Sequence, residues 1–257
     1  MKTKKEIVED WLPRYTGTSL REFGKYILLT NFYRYLEMFS DWNKVPVMGK
    51  DRAMPSATAE GITLIHFGMG SPNAASIMDL LSAVSPKACL FIGKCGGLKK
   101  KTRVGDLIIP IAAIRGEGTS NDYFPERVPA LPAFNLQKVV YSTIHEHKRE
   151  YWTGTVYTTN RRVWEYDEHF KDFLRLTRAL AIDMETATIF SVGFANDIPT
   201  GALLLVSDQP MVASGVKTQT SDRMVTGKYS VQHLKIGIAA HRQVIAAKMS
   251  VKHLRFD

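Results

Sequence analysis

The chain has 257 residues, a formal net charge of +9, a hydrophobic fraction of 45% and two cysteines. That length suits one α/β domain with a substantial core, expected to span 1–257 with 1–24 as an N-terminal lead-in. No apolar run approaches the roughly 18 to 20 residues of a membrane span, the lysine-rich start lacks an apolar signal core, and Cys89 and Cys95 have no spacing partner for a disulfide framework or a zinc site, so a cytoplasmic protein without metal or cofactor is expected.

In chain order, Lys2 to Leu12 predicts a short helix with Ile7, Val8, Trp11 and Leu12 on one side, and Lys25 to Thr30 a first strand. The aromatic segment FYRYLEMF follows, and Val45 to Ser56, with its prolines and Gly49, reads as a loop. Ile62 to Phe67 is the next strand and runs into Gly68-Met69-Gly70-Ser71-Pro72. Ala74, Ile77, Leu81 and Val84 then recur at helical spacing, with Ser71 as the expected N-cap and Pro72 as the first helical residue. Ala88 to Ile92 predicts a strand that ends in a Gly93–Gly97 loop. Asp106 to Ile114 predicts another, and its Pro110 calls for an edge position or a bulge.

A proline-rich loop, a helix around Asn135 to His147, a strand over Tyr151 to Thr159 and a helix near Asp167 to Leu176 come next. Ala181 to Met184 is a short strand or turn feeding a helix that carries Ala187, Phe190 and Phe194 on one face. The run GALLLVSDQP, 201 to 210, has no polar alternation and predicts a strand buried on both faces. On the last helix, Val231, Leu234, Ile238, His241 and Ile245 share an apolar stripe, so His241 reads as a core histidine. Strands alternating with helices imply a mostly parallel sheet covered on both faces.

The charge suggests an anionic partner, but the one dense basic run, Lys99 to Arg103, reads as a solvated loop. Arginine and aromatic residues do not interleave as in single-strand binders, so neither nucleic acid nor membrane is an expected partner. Three loops at strand ends are rich in glycine or oxygen: Gly68 to Pro72, Gly93 to Gly97, and Ser207 to Gln209. Glycines there let backbone N–H groups approach an anion, but each loop taken alone reads first as a plain turn. Asp208 stands at a strand's carboxyl end, where open α/β sheets bind ligands, although Ser207, Asp208 and Pro210 also make a plain polar turn. Asp183 fits a helix cap. Glu185, beside Met184 among apolar residues, needs a partner if buried, and a vicinal diol would satisfy both of its oxygens.

Taken together, GMGSP at 68 to 72, IGKCGG at 92 to 97, DME at 183 to 185 and SD at 207 to 208 resemble, in type and order, the nucleoside phosphorylase and nucleosidase superfamily, hexameric branch. The resemblance covers roughly Lys25 to Ala247. IGKCGGL, TGTVYTTNRRVWE, AIDMETATIF, VSDQP and HLKIGIAA are similar to the versions found in AMP nucleosidases. It implies a three-layer αβα fold with a mixed, mostly parallel twisted central sheet, and a homohexamer built as a trimer of dimers. The short lead-in is expected to mark a short form without an N-terminal regulatory domain.

The implied reaction is hydrolysis of AMP to adenine and ribose 5-phosphate, with another purine nucleosidase or a nucleoside phosphorylase as the alternative. Phosphorylases hold inorganic phosphate with an arginine and a small hydroxyl residue where this chain has Phe91 and Lys94, which favours water as the nucleophile. By the same resemblance Asp208 is the general acid at N7 of the base, Glu185 binds the ribose hydroxyls and Met184 packs on the sugar. Substrate contacts extend to Met69, Gly70, Gly96, Thr159 and Ser207, and Trp164 is a candidate to stack on the base. Arg34, Lys94 and Arg115 are candidates for the substrate phosphate or a phosphate effector. Glu37 is a weakly matched option for activating water.

Overall fold

Buried runs alternating with amphipathic segments produce seven α-helices and eight strands among the described residues, 2–252, of the computed structural model. Met1 and residues 253–257, which the expected 1–257 domain includes, lie outside the described residues. In chain order the elements are α1 (Lys4–Thr16), β1 (Tyr26–Thr30), α2 (Tyr33–Asn43), β2 (Ser56–Ala59), β3 (Ile62–His66), α3 (Ser71–Leu81), β4 (Ala88–Gly97) and β5 (Leu107–Gly116). They continue with α4 (Phe134–Glu146), β6 (Tyr151–Thr159), α5 (Glu168–Thr177), β7 (Ala181–Asp183), α6 (Thr186–Ala195), β8 (Thr200–Asp208) and α7 (Gln219–Ala246).

The strand order is β2-β3-β1-β4-β7-β6-β5-β8, and β4 pairs with β8 as well. The second pairing closes β4, β7, β6, β5 and β8 into a ring, from which β1, β3 and β2 extend as an open wing. Pairings β1–β3, β1–β4, β4–β8, β5–β6 and β6–β7 are parallel, whereas β2–β3, β4–β7 and β5–β8 are antiparallel. This is the mixed, mostly parallel sheet that the family resemblance implies.

Side chains from β1 and β4 alternate between two cores. Ile27, Leu29, Cys89 and Phe91 join one cluster with residues of α1, α3 and α6, while Tyr26, Leu28, Leu90 and Ile92 join the other with residues of α2, α4 and α7. Helices therefore cover both faces, and the central strands carry no polar alternation because neither face meets water. A third cluster, with Leu98, Tyr157, Trp164, Leu174 and Ile182, packs α5 against β6 and β7.

Several expectations change in detail. The segment Gly93–Gly97 is not a loop: β4 continues through it, and all ten of its residues are buried. FYRYLEMF forms most of α2, which buries Tyr35, Leu36, Met38 and Phe39, and β2 follows the loop after it. β5 lies between β6 and β8, but its register with β8 covers Leu107 and Ile108 alone, so Pro110 pairs only on the β6 side, and the β5–β6 register slips between Pro110 and Ala112. This is the bulge that relieves the missing N–H. Ser71 is the first residue of α3 rather than its cap, a place taken by Gly70 at φ 94°. His241 is a fully buried core histidine whose Nε2 lies 2.8 Å from the Ile27 carbonyl, and burial drives its pKa down to about 4.

Candidate active site

Asp208 ends β8, and the register there is irregular. Cys95 pairs with Val206 but Gly96 pairs with Asp208, so Ser207 is an extra residue in β8. Such a bulge turns the following side chain off the strand's regular alternation. Asp208 thereby lines a cavity of about 260 Å³. The Ser207 hydroxyl lies 2.6 Å from Asp208 Oδ1 and 3.3 Å from the Cys95 carbonyl, which orients the carboxyl. Burial raises the Asp208 pKa against the lowering pull of Ser207, Lys217 and Arg162.

The opposite wall is the β7–α6 junction. Asp183 is saturated by protein donors: Thr158 Oγ1 donates at 2.7 Å, Thr186 N at 2.8 Å, Glu185 N at 3.3 Å, and the Thr186 hydroxyl also donates to it. Its role as a helix-start partner is thus met entirely within the fold. Glu185 is 2% exposed and faces the cavity. Gly70 N donates to its Oε1 at 2.7 Å, and the Asn31 side chain donates to it as well. One position on, the Ser71 hydroxyl donates to the Met184 carbonyl at 2.7 Å, so the β3–α3 turn and the β7–α6 turn are fastened together. The turn needs glycine at 70, whose positive φ strains any L side chain. Burial and the adjacent Asp183 push the Glu185 pKa up to about 8.

Positive charge enters from β4, from the 160–166 loop and from the start of α7. Lys94, Arg161, Arg162 and Lys217 all line the cavity. The side chain of Lys94 is only 3% exposed; its Nζ donates to Thr226 Oγ1 at 2.7 Å and to Asp222 Oδ1 at 3.2 Å, and lies 4.3 Å from the centre of the Phe32 ring. Burial lowers its pKa and Asp222 opposes the shift. Lys217 Nζ reaches the same Asp222 oxygen at 3.4 Å. Arg161 pairs with Asp167 at 2.8 Å and Arg162 with Glu165 at 3.5 Å.

Trp164 is 4% exposed, packs edge-on against Phe170 at 5.5 Å and contributes to the cavity lining, as do Met69, Gly96, Thr159 and Met184. The structure therefore brings together Asp208, Ser207, Glu185, Met184, Trp164, Thr159, Gly96, Met69 and Lys94, with Gly70 supporting Glu185. Two expected phosphate ligands are not in the lining. Arg34 is exposed and pairs with Glu37 at 3.1 Å, which also keeps Glu37 outside. Arg115 spends its guanidinium on its own loop, donating to the carbonyls of Phe124, Pro125 and Val128 and to Ser120 Oγ and Asn121 Oδ1, and so organises that loop instead of binding an anion here.

Residues 29–237 match the model of the phosphorylase superfamily. The chain belongs to this superfamily. A curated relative, the AMP nucleosidase of Escherichia coli K12, is 31% identical over 89% of this chain; the chain spans 57% of that relative's length. A crystal structure of AMP nucleosidase from Bacteroides thetaiotaomicron VPI-5482 matches at 55% identity with a TM-score of 0.85, covering 96% of this chain and 99% of the other. A uridine phosphorylase from Vibrio fischeri ES114, at 18% identity and a TM-score of 0.77, shares the fold.

From the resemblance, Phe91 is expected to stand where phosphorylases carry a phosphate-binding arginine. Phe91 is fully buried and packs at 5.8 Å against Phe67 in the α1/α3/α6 core, so no cation stands at that point of β4. Sequence reasoning missed Asn31, Arg161, Arg162, Lys217 and Asp222 as cavity residues. Arg161 and Arg162 lie inside the quoted TTNRR segment, which was the available signal. Asn31, Lys217 and Asp222 carry no spacing signal of their own, because only the chain fold brings the start of α7 to β4.

Proposed function

We propose that this chain hydrolyses the N-glycosidic bond of AMP, giving adenine and ribose 5-phosphate in purine nucleotide salvage or degradation. The observation that carries the reading is the convergence of Asp208, Glu185 and the buried Lys94 on one cavity. Asp208, whose hold on a proton burial strengthens, donates to N7 of adenine and turns a poor leaving group into a neutral one as the sugar takes on oxocarbenium character. Glu185 accepts from the ribose hydroxyls, with Met184 and Met69 against the sugar and Gly96, Thr159 and Ser207 around the base and ribose. Trp164 presents an aromatic wall to adenine.

Phosphate recognition falls to Lys94, joined by Lys217 and by Arg161 or Arg162, and inorganic phosphate acts as an effector by competing there. The chain works as a single catalytic domain of a cytoplasmic homohexamer, a trimer of dimers. Exposed Phe134, Val163, Tyr166, Phe173 and Leu176 supply apolar surface for such an assembly.

Offering the purified protein AMP, adenosine, methylthioadenosine and inosine, each with and without phosphate, tests the reading. Adenine and ribose 5-phosphate from AMP without added phosphate are expected. A requirement for phosphate, with a sugar phosphorylated at C1 as product, overturns it.

A further inference from the structure

Asp222 has a place in the cavity that the proposed chemistry does not use. One of its oxygens, Oδ1, receives both Lys94 Nζ at 3.2 Å and Lys217 Nζ at 3.4 Å, so a single anionic oxygen bridges two ammonium groups. The two lysines differ in freedom. Lys94 is buried at 3% side-chain exposure and fixed by Thr226 and Phe32, and a charge so desolvated needs an anion beside it. Lys217, at 23%, and Asp222, at 42%, can both turn to solvent.

We infer that Asp222 is an internal stand-in for the phosphate of a nucleotide: a phosphomonoester oxygen takes the bridging place between Lys94 and Lys217, and Asp222 rotates out to water. This deepens the reading given above and rests on it in one respect, that the cavity takes a phosphorylated ligand. Charge matching supports the exchange. Two lysines and one carboxylate leave one unneutralised positive charge, whereas a phosphomonoester of about −1.5 to −2 neutralises both lysines. Release is also mild for Asp222, because it lies in the first turn of α7, where the helix's positive end favours a carboxylate whatever its side chain touches. Asp222 thereby keeps the two lysines paired while the site holds no phosphate: a nucleoside leaves it in place, and an anion of higher charge displaces it.

The test is binding of inorganic phosphate to wild type and to Asp222→Asn, by calorimetry or phosphorus NMR, with the KM for AMP measured alongside. Removing the competitor is expected to tighten phosphate binding and lower the KM about three- to tenfold, while adenosine binding stays within about twofold. Asp222→Ser, which removes the charge with a different shape, is expected to move in the same direction. Weaker or unchanged phosphate binding in both variants overturns the inference, since it makes Asp222 a holder of the lysines rather than their surrogate ligand. If phosphate binding tightens but wild type releases no adenine from AMP, the inference stands and the hydrolase reading falls.

Discussion

Glu185→Gln offers a test of the site's electrostatics that needs no substrate. Burial, reinforced by Asp183, lifts the Glu185 pKa from 4.5 to about 8, so the folded protein keeps this proton to higher pH than the unfolded chain does. A group that binds its proton more tightly when folded contributes stability at low pH and loses it as pH rises through the window from about 4.5 to about 8. At 1.36 kcal/mol per pKa unit the arithmetic ceiling is about 5 kcal/mol, and a shift shared with Asp183 places the effect on the order of a few kcal/mol. Glutamine keeps an oxygen for the Gly70 N–H and removes the titration. Thermal melts of wild type and variant at pH 5 and pH 8.5 are the assay. Wild type is expected to lose at least about 4 °C more than Glu185→Gln over that interval, at roughly 2–4 °C per kcal/mol for a chain of this size. Parallel pH profiles refute the assignment of Glu185 as a buried, proton-holding carboxyl.

Trp164→Ala is expected to raise the KM for AMP roughly 5- to 150-fold, the range given by about 1–3 kcal/mol of stacking per base, with Trp164→Phe recovering most of the loss in the same steady-state assay. Arg115→Met should leave that KM within about twofold but lower the melting temperature roughly 4–8 °C, as loop carbonyls lose a charged donor worth about 2 kcal/mol. Gly96→Ala places a Cβ 2.8 Å from Pro210 Cγ and 3.2 Å from Ile182 Cγ2, so it must push the segment after Asp208. A stability loss of about 1–3 kcal/mol by denaturant titration and a reduced kcat are expected together.

The strand and helix order was legible because the central strands are buried on both faces and the helices are amphipathic. GALLLVSDQP is β8 with Asp208 at its end, and GMGSP is a β3–α3 turn, as read. The glycines at 93 to 97 misled. They stand for close approach by neighbouring segments rather than for a turn: Gly97 has no room for a side chain beside Thr102 Oγ1 at 2.5 Å, and Gly96 sits under Pro210. A residue pattern does not distinguish a glycine that bends the chain from one that admits a neighbour. Asp208 was identifiable, but its aim was not, because the bulge at Ser207 belongs to the register between β4 and β8. Arg34 and Lys94 looked alike as motif cations. Burial separates them, leaving Arg34 on the surface with Glu37 and Lys94 inside with Asp222.

The central claim is that Asp208 gives a proton to the departing base. The rate of adenine release from AMP by Asp208→Asn, measured at saturating substrate in phosphate-free buffer, tests it most directly. A fall of roughly 10²–10⁴-fold relative to wild type is expected for loss of a general acid, with folding intact by melting temperature. Release within about tenfold of wild type contradicts the account.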